Sequence, residues 1–136
     1  MTTMTMLGWF AIAAGGALGA VARFAMSHQV YQWFGREFAW GTLSVNVLGS
    51  FIMGFVAVLL VDKFDASTEW RAFIMVGFLG AFTTFSTFSF ETMQYIQIGE
   101  FNKALFNMAV SLITCLMAVW GGLMIGRYLL TTSSGA

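Results

Sequence analysis

The chain has 136 residues, of which 59% are hydrophobic and only 9% are charged, and its formal net charge at pH 7 is zero. Soluble globular domains carry about 25% charged residues, so this composition excludes a soluble domain. It predicts an all-α membrane protein embedded in a lipid bilayer.

Four apolar windows are each long enough to cross a hydrocarbon core of about 30 Å, which takes roughly 20 residues. The connections between them are short, and Gly99 predicts the end of the third span, since glycine is common just past a helix. We therefore expect a single four-span domain over residues 1–136, with spans at about 7–26, 40–61, 71–96 and 104–129.

The first two spans are rich in small residues and each carries one notable polar side chain. The first contains the stretch GGALGAVAR, in which Gly15 and Gly19 have the GxxxG spacing that lets membrane helices approach closely. Arg23 ends that stretch, and Asn46 ends the stretch GTLSVN in the second span. Small-residue spacings are common in membrane helices, so the glycines themselves predict packing.

The third span holds the most unusual segment of the chain, residues 77–91, which read GFLGAFTTFSTFSFE. Residues three apart share a helix face, so this repeat places phenylalanines in one row and hydroxyl residues in the next. The rows are Phe82, Phe85 and Phe88, and Thr83, Ser86 and Ser89. Helix packing alone has little need of so many hydroxyl groups in an apolar span.

Polar residues recur in the fourth span as well. Asn107, Ser111 and Thr114 are spaced by four and then three residues, so they share one face. A polar stripe on a membrane helix indicates either a water-filled path or interhelical hydrogen bonds, which average only about 0.6 kcal/mol each. Because several spans carry such groups, we favour a path. Cys115 is the sole cysteine, so it can form no internal disulfide, and we interpret it as a packing residue.

The type of polar group favours an anion. No Asp or Glu lies centrally in any span, so the carboxylate ring of many cation channels is missing from the sequence. Hydroxyl hydrogens, amide N–H groups and the positive edges of phenyl rings all suit a negative ion. A small, strongly hydrated anion needs several such donors to replace its water.

Basic residues are divided evenly between the two sides of a four-span chain. Orientation normally follows an excess of Lys and Arg in cytoplasmic loops, and this chain has three on each side: Lys63, Arg71 and Arg127 against Arg23, Arg36 and Lys103. The balance predicts insertion in both orientations and an antiparallel homodimer. The alternative is that one basic residue near a span end dominates insertion. Four spans are also few for enclosing a polar path, which favours a dimer.

The segment GFLGAFTTFSTFSFE, with GTLSVN in the second span and GGALGAVAR in the first, closely resembles the Fluc family of fluoride channels, also called CrcB. The resemblance covers nearly all of the chain. It implies four-span subunits that pair as dual-topology antiparallel homodimers, with two fluoride pores and a structural sodium ion at the dimer centre. It also implies that the third helix is broken near its middle.

The resemblance further implies a role for particular residues. Backbone carbonyls of Gly80 and Thr83 would hold the sodium, although Ala81 stands where many members have another glycine. The implied fluoride path comprises Phe85 and Phe88, whose ring edges meet the ion, Asn46 beside them, Ser86 and Thr87, Arg23 near a vestibule, and Asn107 and Ser111 in the fourth span.

We therefore expect a passive, fluoride-selective channel in the bacterial inner membrane that lowers cytoplasmic fluoride and gives fluoride resistance. The expected partners are fluoride, a second copy of the chain and lipid, with no nucleic acid, and we expect no enzymatic activity. A proton-coupled exporter resembling the small multidrug resistance transporters is the alternative, but it needs a carboxylate in the first span. A third possibility is an accessory subunit that moves no ion alone.

Overall fold

The structure is a computed structural model that describes residues 4–133. Residues 1–3 and 134–136, which the predicted domain includes, lie outside this range. The described chain is helical, and four of its helices are long and apolar enough to cross a membrane: Met6–Phe34, Trp40–Asp62, Thr68–Gln97 and Phe101–Thr132. The predicted all-helical, four-span membrane fold is confirmed. The antiparallel, dual-topology dimer stays a prediction.

The helices extend beyond some of the predicted spans. Helix α1 (Met6–Phe34) continues eight residues past position 26. Its polar end makes a side-chain contact between successive turns, in which Nε2 of His28 lies 2.9 Å from Nε2 of Gln32. It ends at Gly35, whose φ of 80° favours glycine. The second span is α2 (Trp40–Ala57) followed by a π-helical turn, Val58–Lys63.

The third span consists of two parts separated by a break. It begins as α3 (Thr68–Arg71), continues as a π-helical segment (Ala72–Leu79) and ends its first part in α4 (Gly80–Phe82). Thr83 and Thr84 then adopt extended backbone angles, with ψ of 157° and 113°. Helix α5 (Phe85–Gln97) is the second part. The predicted break in the third helix is therefore present, three residues beyond Gly80, which is itself helical.

The fourth span is the single helix α6 (Phe101–Ser133). It follows a tight connection in which Gly99 has a φ of 81° and the N–H of Glu100 donates to the carbonyl of Tyr95 at 2.8 Å. These are the features of a glycine-terminated helix. The predicted end of the third span at Gly99 is confirmed.

Glycines bring the helices together in two seams. In the first, Gly15 and Gly19 of α1 meet the carbonyl oxygens of Phe73 and Phe78, so a Cβ at either glycine would overlap backbone. In the second, Gly54 of α2 meets the carbonyl oxygen of Val119, and Gly122 of α6 meets that of Phe51. Such close contacts are how membrane helices gain packing energy where lipid is as apolar as the side chains.

Candidate functional site

A cleft of about 540 Å³ opens beside the break in the third span. It lies between α2, the start of α5 and α6, and most of its lining is apolar. Five predicted site residues line it: Asn46, Thr83, Phe85, Phe88 and Ser111. The fold therefore gathers residues from three separate spans at one place.

Asn46 holds the broken backbone in position. Its Oδ1 accepts a hydrogen bond from the N–H of Thr84 at 2.7 Å, and its Nδ2 donates to the carbonyl of Thr84 at 3.0 Å. The amide thus replaces the two backbone partners that an unbroken helix would give Thr84. An unpaired backbone group at membrane depth costs several kcal/mol, so this side chain makes the extended conformation tolerable.

The hydroxyl of Thr84 organises the first turn of α5. Its Oγ1 accepts from the N–H of Thr87 at 3.1 Å, which caps the helix. The same hydroxyl donates to Oγ1 of Thr87 at 2.9 Å and lies 3.2 Å from Oγ of Ser86. Ser86 is exposed and Thr87 is half-buried. Two of the predicted polar residues thus belong to one hydroxyl cluster at the break.

The break also diverts the helical donors of two carbonyl groups. In a continuous helix the carbonyl of Gly80 would receive the N–H of Thr84, and that N–H donates instead to Asn46. The carbonyl of Thr83 would receive the N–H of Thr87, which donates instead to Thr84 Oγ1. Gly80 is exposed on the surface of the subunit. These are the two carbonyls that the family resemblance implies as sodium ligands.

Phe85 and Phe88 form an aromatic pair at the cleft. Their ring centroids are 5.4 Å apart and their planes are tilted by 44°. Phe88 is half-buried, whereas Phe85 is 79% exposed in the single subunit. Exposed ring edges carry partial positive charge, so this pair can present donors to an anion beside the polar break.

A second polar contact joins α5 to α6 beside the cleft. Nδ2 of Asn107 donates to Oγ1 of Thr92 at 2.9 Å, and Oγ of Ser111 lies 3.5 Å from Oδ1 of Asn107. Asn107 is 1% exposed, so its amide is satisfied within the subunit, while Ser111 also lines the cleft. The structure therefore places Asn107 behind the cleft wall.

A third polar group lies in the middle of α5. Glu91 Oε1 accepts hydrogen bonds from the hydroxyl of Tyr31 at 2.8 Å and from Oγ1 of Thr42 at 2.9 Å. A cavity of about 190 Å³ adjoins it, lined by Tyr31, Arg36, Phe38, Ala39, Glu91, Gln94 and Tyr95. Arg23 lies half-buried on α1 and lines neither of these two cavities.

Thr42, Thr84 and Glu91 are not among the predicted site residues, although the sequence carries a signal for them. Thr84, Thr87 and Glu91 are spaced by three and four residues on α5, and Thr42 precedes Asn46 by four on α2, so each set shares a face. Only their pairing across α2 and α5 was unpredictable. Together they form a row of hydroxyl, amide and carboxyl groups between the two helices.

Comparison with known proteins gives a consistent family. Residues 10–123 match the family described as CrcB-like protein, Camphor Resistance (CrcB). The chain is 58% identical over 127 residues to the protein named Fluoride-specific ion channel FluC of Hydrogenovibrio crunogenus, an alignment covering 93% of this chain and 96% of that protein.

Two further relatives carry the same name. That of Methylococcus capsulatus is 51% identical over 123 residues, which is 90% of this chain and 54% of the longer relative. That of Magnetococcus marinus is 51% identical over 116 residues, covering 85% of this chain and 94% of the relative. The similarity spans all four helices and the segment around the break.

Proposed function

This chain belongs to the CrcB family, and from that premise and the geometry of the break we propose that it conducts fluoride passively out of the bacterial cytoplasm. The family is one of ion channels, not of enzymes, and the chain is a multi-pass membrane protein. A channel in the inner membrane that lets fluoride leave would lower its cytoplasmic concentration and give fluoride resistance.

The observation that carries the proposal is the extended Thr83–Thr84 segment, which Asn46 holds beside the pair Phe85 and Phe88. Fluoride loses its water only where donors replace it. Hydroxyl groups at the start of α5 and the ring edges of Phe85 and Phe88 on the same helix would supply such donors, and the cleft lining contains no carboxylate. Ser86, Thr87 and Ser111 would extend this path, and Arg23 would attract anions from its position on α1.

We further propose that two copies of the chain pair in antiparallel orientation. The cleft is open along one side and Phe85 is 79% exposed at its edge, so a second subunit would enclose both. Basic residues divide three against three between the two sides of the membrane, which favours insertion both ways. One broken span from each copy would then lie at the centre of the dimer.

The carbonyls of Gly80 and Thr83 fit a structural sodium ion at that centre. Their helical donors are used elsewhere, and Gly80 lies on the exposed surface where a partner subunit would meet it. Carbonyl oxygens suit a hard cation, and orphan carbonyls are costly in lipid. The ion would hold the two subunits together and add positive potential beside the anion paths.

The proton-coupled exporter is less favoured. That mechanism needs a carboxylate in the first span, and α1 has neither Asp nor Glu between Met6 and Phe34. Family membership also favours a channel over an exchanger.

Fluoride release from liposomes tests the proposed function. Purified chain in vesicles loaded with potassium fluoride, with valinomycin to balance charge, should release fluoride down its gradient without a proton gradient. Chloride-loaded vesicles should release little. Release that depends on a proton gradient would favour the exporter, and the absence of any release would favour an accessory subunit.

A second experiment tests the sodium ion and the dimer separately. Dialysis against sodium-free buffer should lower the thermal stability and release subunits, and sodium should restore the dimer where potassium does so poorly. Reporter fusions at both termini should show each terminus on both sides of the membrane. A single orientation would contradict the antiparallel dimer.

A further inference from the structure

The hydroxyl of Tyr31 on α1 takes part in a hydrogen-bond network with the second and third spans that includes no predicted site residue. Its hydroxyl donates to Oε1 of Glu91 at 2.8 Å, and it lies 3.4 Å from Oγ1 of Thr42, which donates to the same carboxylate oxygen. Three helices therefore meet at one carboxylate oxygen.

The ring of Tyr31 is held in place by contacts with Gly41 and Arg36. A Cβ at Gly41 would overlap the Cε2 atom of the ring, so only glycine leaves room for it there. On the ring face, the guanidinium carbon of Arg36 lies 5.2 Å from the centroid, within the range of a cation–π contact. These two contacts fix the direction in which the Tyr31 hydroxyl points.

Glu91 ends the row of polar side chains that begins at the break. Asn46 pairs with Thr84 at one end. Thr42, one turn before Asn46 on α2, pairs with Glu91, which lies about two turns after Thr84. The row thus leads from the cleft to the cavity of about 190 Å³ at the other end of α5, which Glu91 lines.

A negative charge on Glu91 would affect any anion that passes beside it. Its Oε2 is buried and has no hydrogen-bond partner among the described residues. A carboxylate beside the path repels fluoride, and hydrogen bonds from Tyr31 and Thr42 offset part of that charge. Tyr95 and Arg36 line the same cavity, and only Tyr31 among these three donates to Glu91 in the structure.

We propose that Tyr31 is a positioning residue, which holds the Glu91 carboxylate at the end of the polar row and so limits its repulsion of fluoride. This inference rests on the proposed fluoride conduction. Without the hydroxyl of Tyr31 the Glu91 carboxylate loses one of its two donors. The barrier for an anion at that end of the row then rises.

The test is a double-mutant cycle of fluoride release from liposomes. Tyr31→Phe should lower the initial rate by about tenfold, the rate equivalent of one hydrogen bond to a charged group. In a Glu91→Gln background no carboxylate remains to be held, so adding Tyr31→Phe should change the rate by no more than about twofold. A purely structural role of Tyr31 would reduce both rates alike.

Two further variants complete the experiment. Tyr128→Phe removes a hydroxyl from an exposed residue of α6 and should release fluoride like the wild type. Gly41→Ala, which displaces the ring and keeps the hydroxyl, should reproduce the loss only when Glu91 is present. Wild-type release with equal losses in both backgrounds, or with no loss in either, would overturn the role of Tyr31 alone. Absence of wild-type release would overturn the proposed function and this inference with it.

Discussion

The two parts of the third span meet their neighbours in opposite ways. Residues 68–82 pack against α1 through glycines, with Gly15 and Gly19 close to backbone carbonyl oxygens and little polar contact between side chains. Helix α5 (Phe85–Gln97) meets α2 and α6 through hydrogen bonds made by Asn46, Glu91 and Thr92. The first part of the span makes an apolar, glycine-packed contact, and the second part makes a polar one.

This difference separates a packing role from the proposed ion path within one span. Close glycine packing fixes the backbone of the first part and needs no donors. The second part carries hydroxyl and amide groups that are costly in lipid unless they face protein or an ion path. The break at Thr83–Thr84 is where the first kind of contact gives way to the second. We therefore expect mutations before the break to affect folding and mutations after it to affect flux.

The largest effect is expected where α1 packs against the first part of the third span. Gly15→Ala places a Cβ against the carbonyl oxygen of Phe73, and backbone cannot move aside cheaply, so we expect a loss of about 3 kcal/mol and poor recovery of folded protein. Gly16→Ala is the matched control, since its nearest outside atom, the Gly77 oxygen, lies at 3.9 Å. Thermal scanning of both variants in detergent measures this. Equal midpoints would contradict the close contact.

The next effect is expected at the polar end of the break. Asn46→Leu removes both hydrogen bonds to Thr84 and leaves its N–H and carbonyl without these partners. Fluoride flux should fall by at least about tenfold, because the extended segment loses the side chain that holds it. Asn102→Leu, at an exposed position in the first turn of α6, is the control and should keep wild-type flux. Wild-type flux in Asn46→Leu would refute the role of Asn46 in holding the extended segment.

The smallest effect is expected behind the cleft. Thr92→Val leaves Nδ2 of the buried Asn107 without its acceptor and should cost about 1 kcal/mol of stability. Adding Asn107→Leu should recover part of that loss, since replacing both partners by apolar groups removes the unpaired amide. Thermal midpoints of the two single variants and the double variant measure the coupling. Strictly additive losses would show that the bond contributes nothing.

Much of this architecture could be predicted from the sequence. The four spans follow from hydropathy, and the motif GFLGAFTTFSTFSFE carries the family resemblance, which the comparisons confirm. The repeat of phenylalanines and hydroxyls also placed Phe85 and Phe88 together, and the structure has them 5.4 Å apart. These features depend on local periodicity, which a sequence contains.

The remaining features depend on contacts between distant segments. Gly80 is a weak helix former, yet it stays helical, and the break falls at Thr83–Thr84 instead. The reason is that Asn46, 38 residues before Thr84, forms hydrogen bonds with the Thr84 backbone. Likewise Asn107 shares a face with Ser111 but bonds to Thr92, which lies on another helix. Tyr31 gave no signal at all, since its partner Glu91 is 60 residues away.

The most direct test of the account compares fluoride release from liposomes containing Phe88→Ile or Phe90→Ile. Both residues lie on α5, but only Phe88 lines the cleft. The side chain of Phe90 is 64% exposed and does not line the cleft. Phe88→Ile removes a ring edge from the proposed path and should slow the initial rate on the order of tenfold, the scale of one aromatic contact. Phe90→Ile should release fluoride like the wild type. Equal rates in the two variants would contradict the claim that the polar part of the third span carries the ion.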